Sequence, residues 1–107
     1  MQQFQARQGD VWMETGTAIP ADAKPVQLDA RHRIILAAGE VTGHHHAITA
    51  DPTVCQAYEK DGRIYLHVET VVTVQHEEHG PITLPAGDYV TYIQREYDPL
   101  GSRRVKD

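Results

Sequence analysis

The chain has a single cysteine, Cys55. No internal disulfide can form, and nothing in the sequence calls for an oxidising compartment. Positive charge is also scarce: 10 Lys and Arg stand against 15 Asp and Glu, for a net charge of −5. Sequence-independent nucleic-acid binding needs a positive surface to meet phosphates, so no nucleic-acid partner is expected. Long apolar runs are missing too. The longest, Ile34 to Gly39, falls far short of the roughly 20 residues that span a bilayer, so no membrane association is expected. Met1-Gln2-Gln3-Phe4-Gln5 lacks the basic start and apolar core of a signal peptide, and the expected location is the cytoplasm. The sequence has no internal repeat and no low-complexity segment. No window of about a dozen residues carries a helical apolar period.

What is present is a 107-residue chain, 40% hydrophobic and 23% charged. That size suits one domain over residues 1–107, able to bury roughly two-thirds of its unfolded surface without staples. Short strand signals alternate with turn signals. Asp10 to Glu14, Arg33 to Ala37, Val41 to Ala50 and Thr70 to Gln75 read as strands, as do Ile82 to Leu84 and Tyr89 to Tyr97. Val54 to Glu59 and Arg63 to Glu69 flank Lys60-Asp61-Gly62, a hairpin signal because the turn needs positive φ. Pro20 to Pro25 reads as a loop, and residues 98–107 as an exposed tail. The fold class expected is all-β, a compact barrel or double-sheet jelly roll of short strands.

Histidine carries the chemistry. Five of the seven histidines fall in two clusters, Gly43-His44-His45-His46 and His76-Glu77-Glu78-His79. Alternate strand residues share a face, so His44 and His46 point one way and His45 the other. Neutral imidazole ligates Zn, Fe, Ni and Cu. The spacing of the second cluster is not that of a metalloprotease helix, but a turn at Gly80-Pro81 would let His76 and His79 converge. His44, His46, His76 and His79 are therefore the expected ligands of a divalent transition metal. Zn is the first candidate because it accepts tetrahedral histidine sites without a redox partner. Fe and Ni also suit the ligand set.

A site with an open position would lower the pKa of a bound water for hydrolase or lyase chemistry, with Glu78 or Glu77 moving protons. Arg95 and Tyr97 share one face of the last strand and are the candidates to hold a small-molecule substrate, Arg95 by clamping a carboxylate. The competing reading of Arg95 is an ordinary ion pair. His67 reads as a half-exposed strand residue, Cys55 as a small core residue and Trp12 as a packing residue. The alternative function is a non-catalytic binding or assembly module, a homo-oligomer in one form, whose histidines line a groove or subunit interface.

Gln8-Gly9-Asp10-Val11, Gly39-Glu40-Val41-Thr42-Gly43-His44-His45-His46, His76-Glu77-Glu78-His79 and Gln94-Arg95-Glu96-Tyr97 together resemble an uncharacterised family of small bacterial proteins. The resemblance implies a bacterial or phage origin and no particular activity. The chain also resembles cupins, β-barrels that bind a metal through a Gly…HxH…Glu motif and a later Pro-x-Gly…His motif. His44 and His46 match the HxH pair, and Pro85-Ala86-Gly87 matches the Pro-x-Gly turn. No Glu follows His46 at the cupin spacing, and no His follows Gly87. The cupin resemblance therefore implies the fold more than the ligand set.

Overall fold

The computed structural model describes residues 3–38, 45–76 and 79–93. Ten strands form in chain order: β1 (Gln5–Gln8), β2 (Val11–Thr15), β3 (Lys24–Pro25), β4 (Arg33–Ala38), β5 (His45–Thr49), β6 (Cys55–Lys60), β7 (Arg63–Val68), β8 (Val72–Gln75), β9 (Ile82–Leu84) and β10 (Gly87–Ile93). They make two sheets. A six-stranded sheet runs β1-β2-β10-β7-β6-β3, and a four-stranded sheet runs β4-β5-β8-β9. Every pairing is antiparallel. The all-β expectation holds, and neither sheet closes into a barrel. The four-stranded sheet ends at β4 and β9, and neither of these is hydrogen-bonded into the larger sheet.

Period-two alternation explains why the sheets pack. Val11 and Met13 of β2, Leu66 and Val68 of β7, and Tyr89 of β10 are buried on one side of the large sheet. Ile34, Ile48, Val72, Val74 and Leu84 supply the matching face of the small one. All ten belong to a single core cluster. Tyr89 is fully buried and its hydroxyl donates to the Pro85 carbonyl at 2.6 Å, which ties the turn before β10 to the core. Register shifts between Ile35 and Ala37 in the β4–β5 pairing. The extra residue of that bulge, Leu36, still joins the core.

The β6–β7 hairpin turns at Asp61 (φ 54) and Gly62 (φ 78), as the Asp-Gly signal requires. Two strands were not expected from the sequence. β3 lies inside the stretch read as a loop: Lys24 and Pro25 pair with Glu59 and Tyr58 at the sheet edge, where a proline is tolerated. The Gln-Ala-Arg-Gln sequence of β1 has little strand propensity. It is held by pairing with β2 from Gln5↔Glu14 to Gln8↔Val11. The connecting turn, Gly9-Asp10, has positive φ at Gly9 alone (φ 58), the pattern of a II′ turn. Among the described residues no helix is long and apolar enough to cross a membrane.

Candidate functional site

The site forms where the β1–β2 turn meets the end of the four-stranded sheet. His46 is the second residue of β5 and lies on its inner face, 1% exposed. The β5–β8 register pairs Ala47 with Gln75 and Ile48 with Val74. Continued by one position, it sets His76 opposite His46. His79 lies close to both rings. The ring centroids of His46 and His76 are 4.2 Å apart, those of His76 and His79 4.7 Å, and those of His46 and His79 5.9 Å.

A residue that sequence reasoning did not single out controls the buried ring. Gln8 is 2% exposed, and its Nε2 donates to the Val74 carbonyl at 3.0 Å and the Gly80 carbonyl at 2.8 Å. Two carbonyls can only accept, so the amide orientation follows. Gln8 Oε1 is left facing His46 Nδ1 at 2.9 Å, and that nitrogen must carry a proton. In the neutral ring Nε2 is then the lone-pair nitrogen, and it lies 4.0 Å from Asp10 Oδ1. A histidine whose Nδ1–H is held by an oxygen so that Nε2 can ligate is the arrangement that orients metal-bound imidazoles.

Gly9 makes the crowding possible. A Cβ there would lie 2.8 Å from His79 Nε2 and 3.2 Å from His46 Cε1. The turn backbone therefore packs closely against the imidazoles, and a side chain at this position would require the His79 ring to move. Gln8-Gly9-Asp10 thus supplies a positioning amide, a close backbone approach and a carboxylate within three residues. The signal available in the sequence was its place in the Gln-Gly-Asp-Val motif.

The rings meet face to face rather than edge to edge, with interplanar angles of 31°, 15° and 40°. Lone pairs lie in the ring plane, so stacked rings do not aim them at one point. Accordingly, among the described residues no group of three or more His, Cys, Asp or Glu side chains is placed to hold a metal ion. The His79 backbone N–H donates to His76 Nδ1 at 3.2 Å. Ligation by either nitrogen of His76 would give up that long bond. His46 is held by Gln8, while His76 and His79 are half-buried.

Of the residues proposed from the sequence, His46, His76 and His79 come together. His44, Glu77, Glu78, Arg95 and Tyr97 lie outside the described residues. His45 faces the other side of β5, as strand alternation requires, and lines an open cavity with His76. Cys55 is buried in the core, and burial pushes its thiol up to about 11, so it is no nucleophile at neutral pH. His67 is more than a plain strand residue. Its Nδ1 lies 2.6 Å from Asp88 Oδ1 and its Nε2 2.8 Å from Glu69 Oε2. Both contacts are satisfied only by the imidazolium, and the Asp88 hydrogen bond, then the Glu69 one, raise its pKa.

Residues 7–94 match the model of a family described as a domain of unknown function, DUF8820, and the chain belongs to that family. No curated protein and no solved structure matches the chain.

Proposed function

We propose that the protein binds a divalent transition metal, Zn first, through His46, His76 and His79, with Asp10 as an oxygen ligand or partner. One observation carries this reading: Gln8 holds the buried His46 ring in the Nδ1–H tautomer, with two further imidazoles within 6 Å. Burying a histidine costs free energy unless its polar atoms are satisfied. Gln8 does that for Nδ1, and the other ring nitrogen, Nε2, lies 4.0 Å from Asp10 Oδ1. Loading a metal then requires rotation of His76 and His79 from stacked to edge-on. His44, Glu77 and Glu78 are the remaining candidates for ligands or proton carriers, and the cupin-like HxH reading of His44 and His46 belongs to the same proposal. Three imidazoles leave a position for water on a tetrahedral ion, so hydrolysis or lyase chemistry on a small molecule is the reaction class the site would support.

Elemental analysis of tag-free protein, purified without chelators and exposed to Zn, Fe(II) or Ni, tests this directly. The expected result is near-stoichiometric metal that disappears in His46→Ala and in the His76→Gln/His79→Gln double variant, and persists in His67→Gln. No metal in the unaltered protein, or metal retained in both site variants, would overturn the proposal.

A further inference from the structure

The outer face of the four-stranded sheet carries a cavity of about 330 Å³, large enough for a small organic molecule. Its origin is local. Ala47, one of the lining residues, lies opposite Gln75 on β8 and Ile35 on β4. A methyl group between longer side chains leaves a depression, and Pro81 adds a second apolar surface.

The polar lining has one electrical character. Its ionisable residues are Arg33, His45 and His76, joined by the neutral Thr49 and Gln75, and no carboxylate lines it among the described residues. Arg33 is held from behind: its Nε and Nη2 both contact Asp29 Oδ2, at 3.0 and 2.9 Å. Asp29 is itself fixed, accepting from the backbone N–H groups of Arg31 and Arg33 at 3.0 and 2.8 Å. This pins the guanidinium plane and uses two of its five N–H groups, so three remain for other acceptors.

We infer that this cavity binds a small organic carboxylate. Arg33 would anchor the carboxylate, Thr49 and Gln75 would offer hydrogen bonds, and Ala47 and Pro81 would receive the apolar body. A volume well beyond that of an inorganic ion and an apolar floor favour an organic acid over free phosphate. His76 lines the cavity and also belongs to the imidazole cluster. Such a ligand would therefore share His76 with the imidazole cluster. The cavity's role as a substrate pocket rests on the metal reading, but its occupancy by a carboxylate does not.

The test is an NMR titration of the metal-free protein with benzoate, and with benzamide and inorganic phosphate as neutral and charge-only controls. Saturable shifts at Thr49, Gln75 and the Arg33 side chain are expected with benzoate only. Affinity should fall about tenfold or more in Arg33→Gln, which removes the charge-assisted bond. It should fall as far in Gln75→Glu, which places a like charge on an exposed side chain and so leaves the fold intact. His67→Gln, on the other sheet and outside the cavity lining, should retain binding. Absent benzoate shifts, equal response to benzamide, or binding kept in both cavity variants would overturn the inference. So would binding that needs added Zn and vanishes in His46→Ala, since the carboxylate would then be a metal ligand; that result leaves the metal reading standing. Benzoate binding by a protein that takes up no metal would support the cavity and sink the metal reading alone.

Discussion

Gln8 and His46 are 38 residues apart in the chain and 2.9 Å apart in space, and the first dictates which nitrogen of the second carries the proton. Gln8 can do so because both protons of its amide nitrogen are committed to the Val74 and Gly80 carbonyls. Replacing it with Leu would remove the bonds to those two carbonyls and leave His46 Nδ1–H without its acceptor in a buried space. The expected cost is about 1–3 kcal/mol in stability for such unpaired groups. Zn affinity should fall about 10–100-fold, the usual loss when a ligand's orienting partner is removed. Imidazole ¹⁵N shifts should report Nδ1–H at His46 in the unaltered protein and a tautomer mixture in Gln8→Leu.

Gly9 and Gly62 make a matched pair. Both have positive φ, 58° and 78°. A Cβ on Gly62 would meet nothing within 4 Å, whereas one on Gly9 would strike His79. Gly62→Ala should cost about 1 kcal/mol, from backbone strain alone. Gly9→Ala should cost more and should also displace the His79 ring resonances. Equal losses in chemical denaturation would show that the imidazoles yield freely to the turn.

His67 should titrate above its ordinary value, because Asp88 and Glu69 both hold the imidazolium. A raised folded pKa means that the stabilisation is fully present below the unfolded value of about 6.5. It is lost as pH rises through the folded value. The residue is exposed and screened, so the effect on stability is small, and the ring C–H shifts are the sharper readout. Asp88→Asn should lower the pKa further than Glu69→Gln does.

Thr91 is 1% exposed, and its hydroxyl has no hydrogen-bond partner among the described residues. Thr91→Val keeps the shape and the β-branch and removes an unpaired buried polar atom. It should stabilise the protein by about 1 kcal/mol, seen as a higher denaturation midpoint with an unchanged slope.

Much of the strand order was legible because β-branched and aromatic runs stop at turn residues. Val72–Gln75, Ile82–Leu84 and the Asp61-Gly62 hairpin sit where the pattern puts them. β1 escaped because Gln-Ala-Arg-Gln has no apolar alternation; its strand state comes from its partner. The barrel expectation went too far for a related reason. Local alternation says that a strand has an inner and an outer face, but not whether the sheet's edges meet.

The candidate site divides along the same line. The sequence by itself determined the chemistry on offer: clustered imidazoles, an HxH pair, and a His76–His79 spacing before Gly80-Pro81 that would let two rings converge if the chain turned. Those are matters of residue type and of neighbours within a few positions. Only the tertiary structure decided that β5 and β8 pair in the register that sets His46 against His76, and that the β1–β2 turn brings Gln8, Gly9 and Asp10 onto them. Register shifted by one residue would turn His46 out of the core. What selects the observed register is the shared burial of Ile34, Ile48, Val72 and Val74 between the sheets, a property of the whole packed core that no single segment carries.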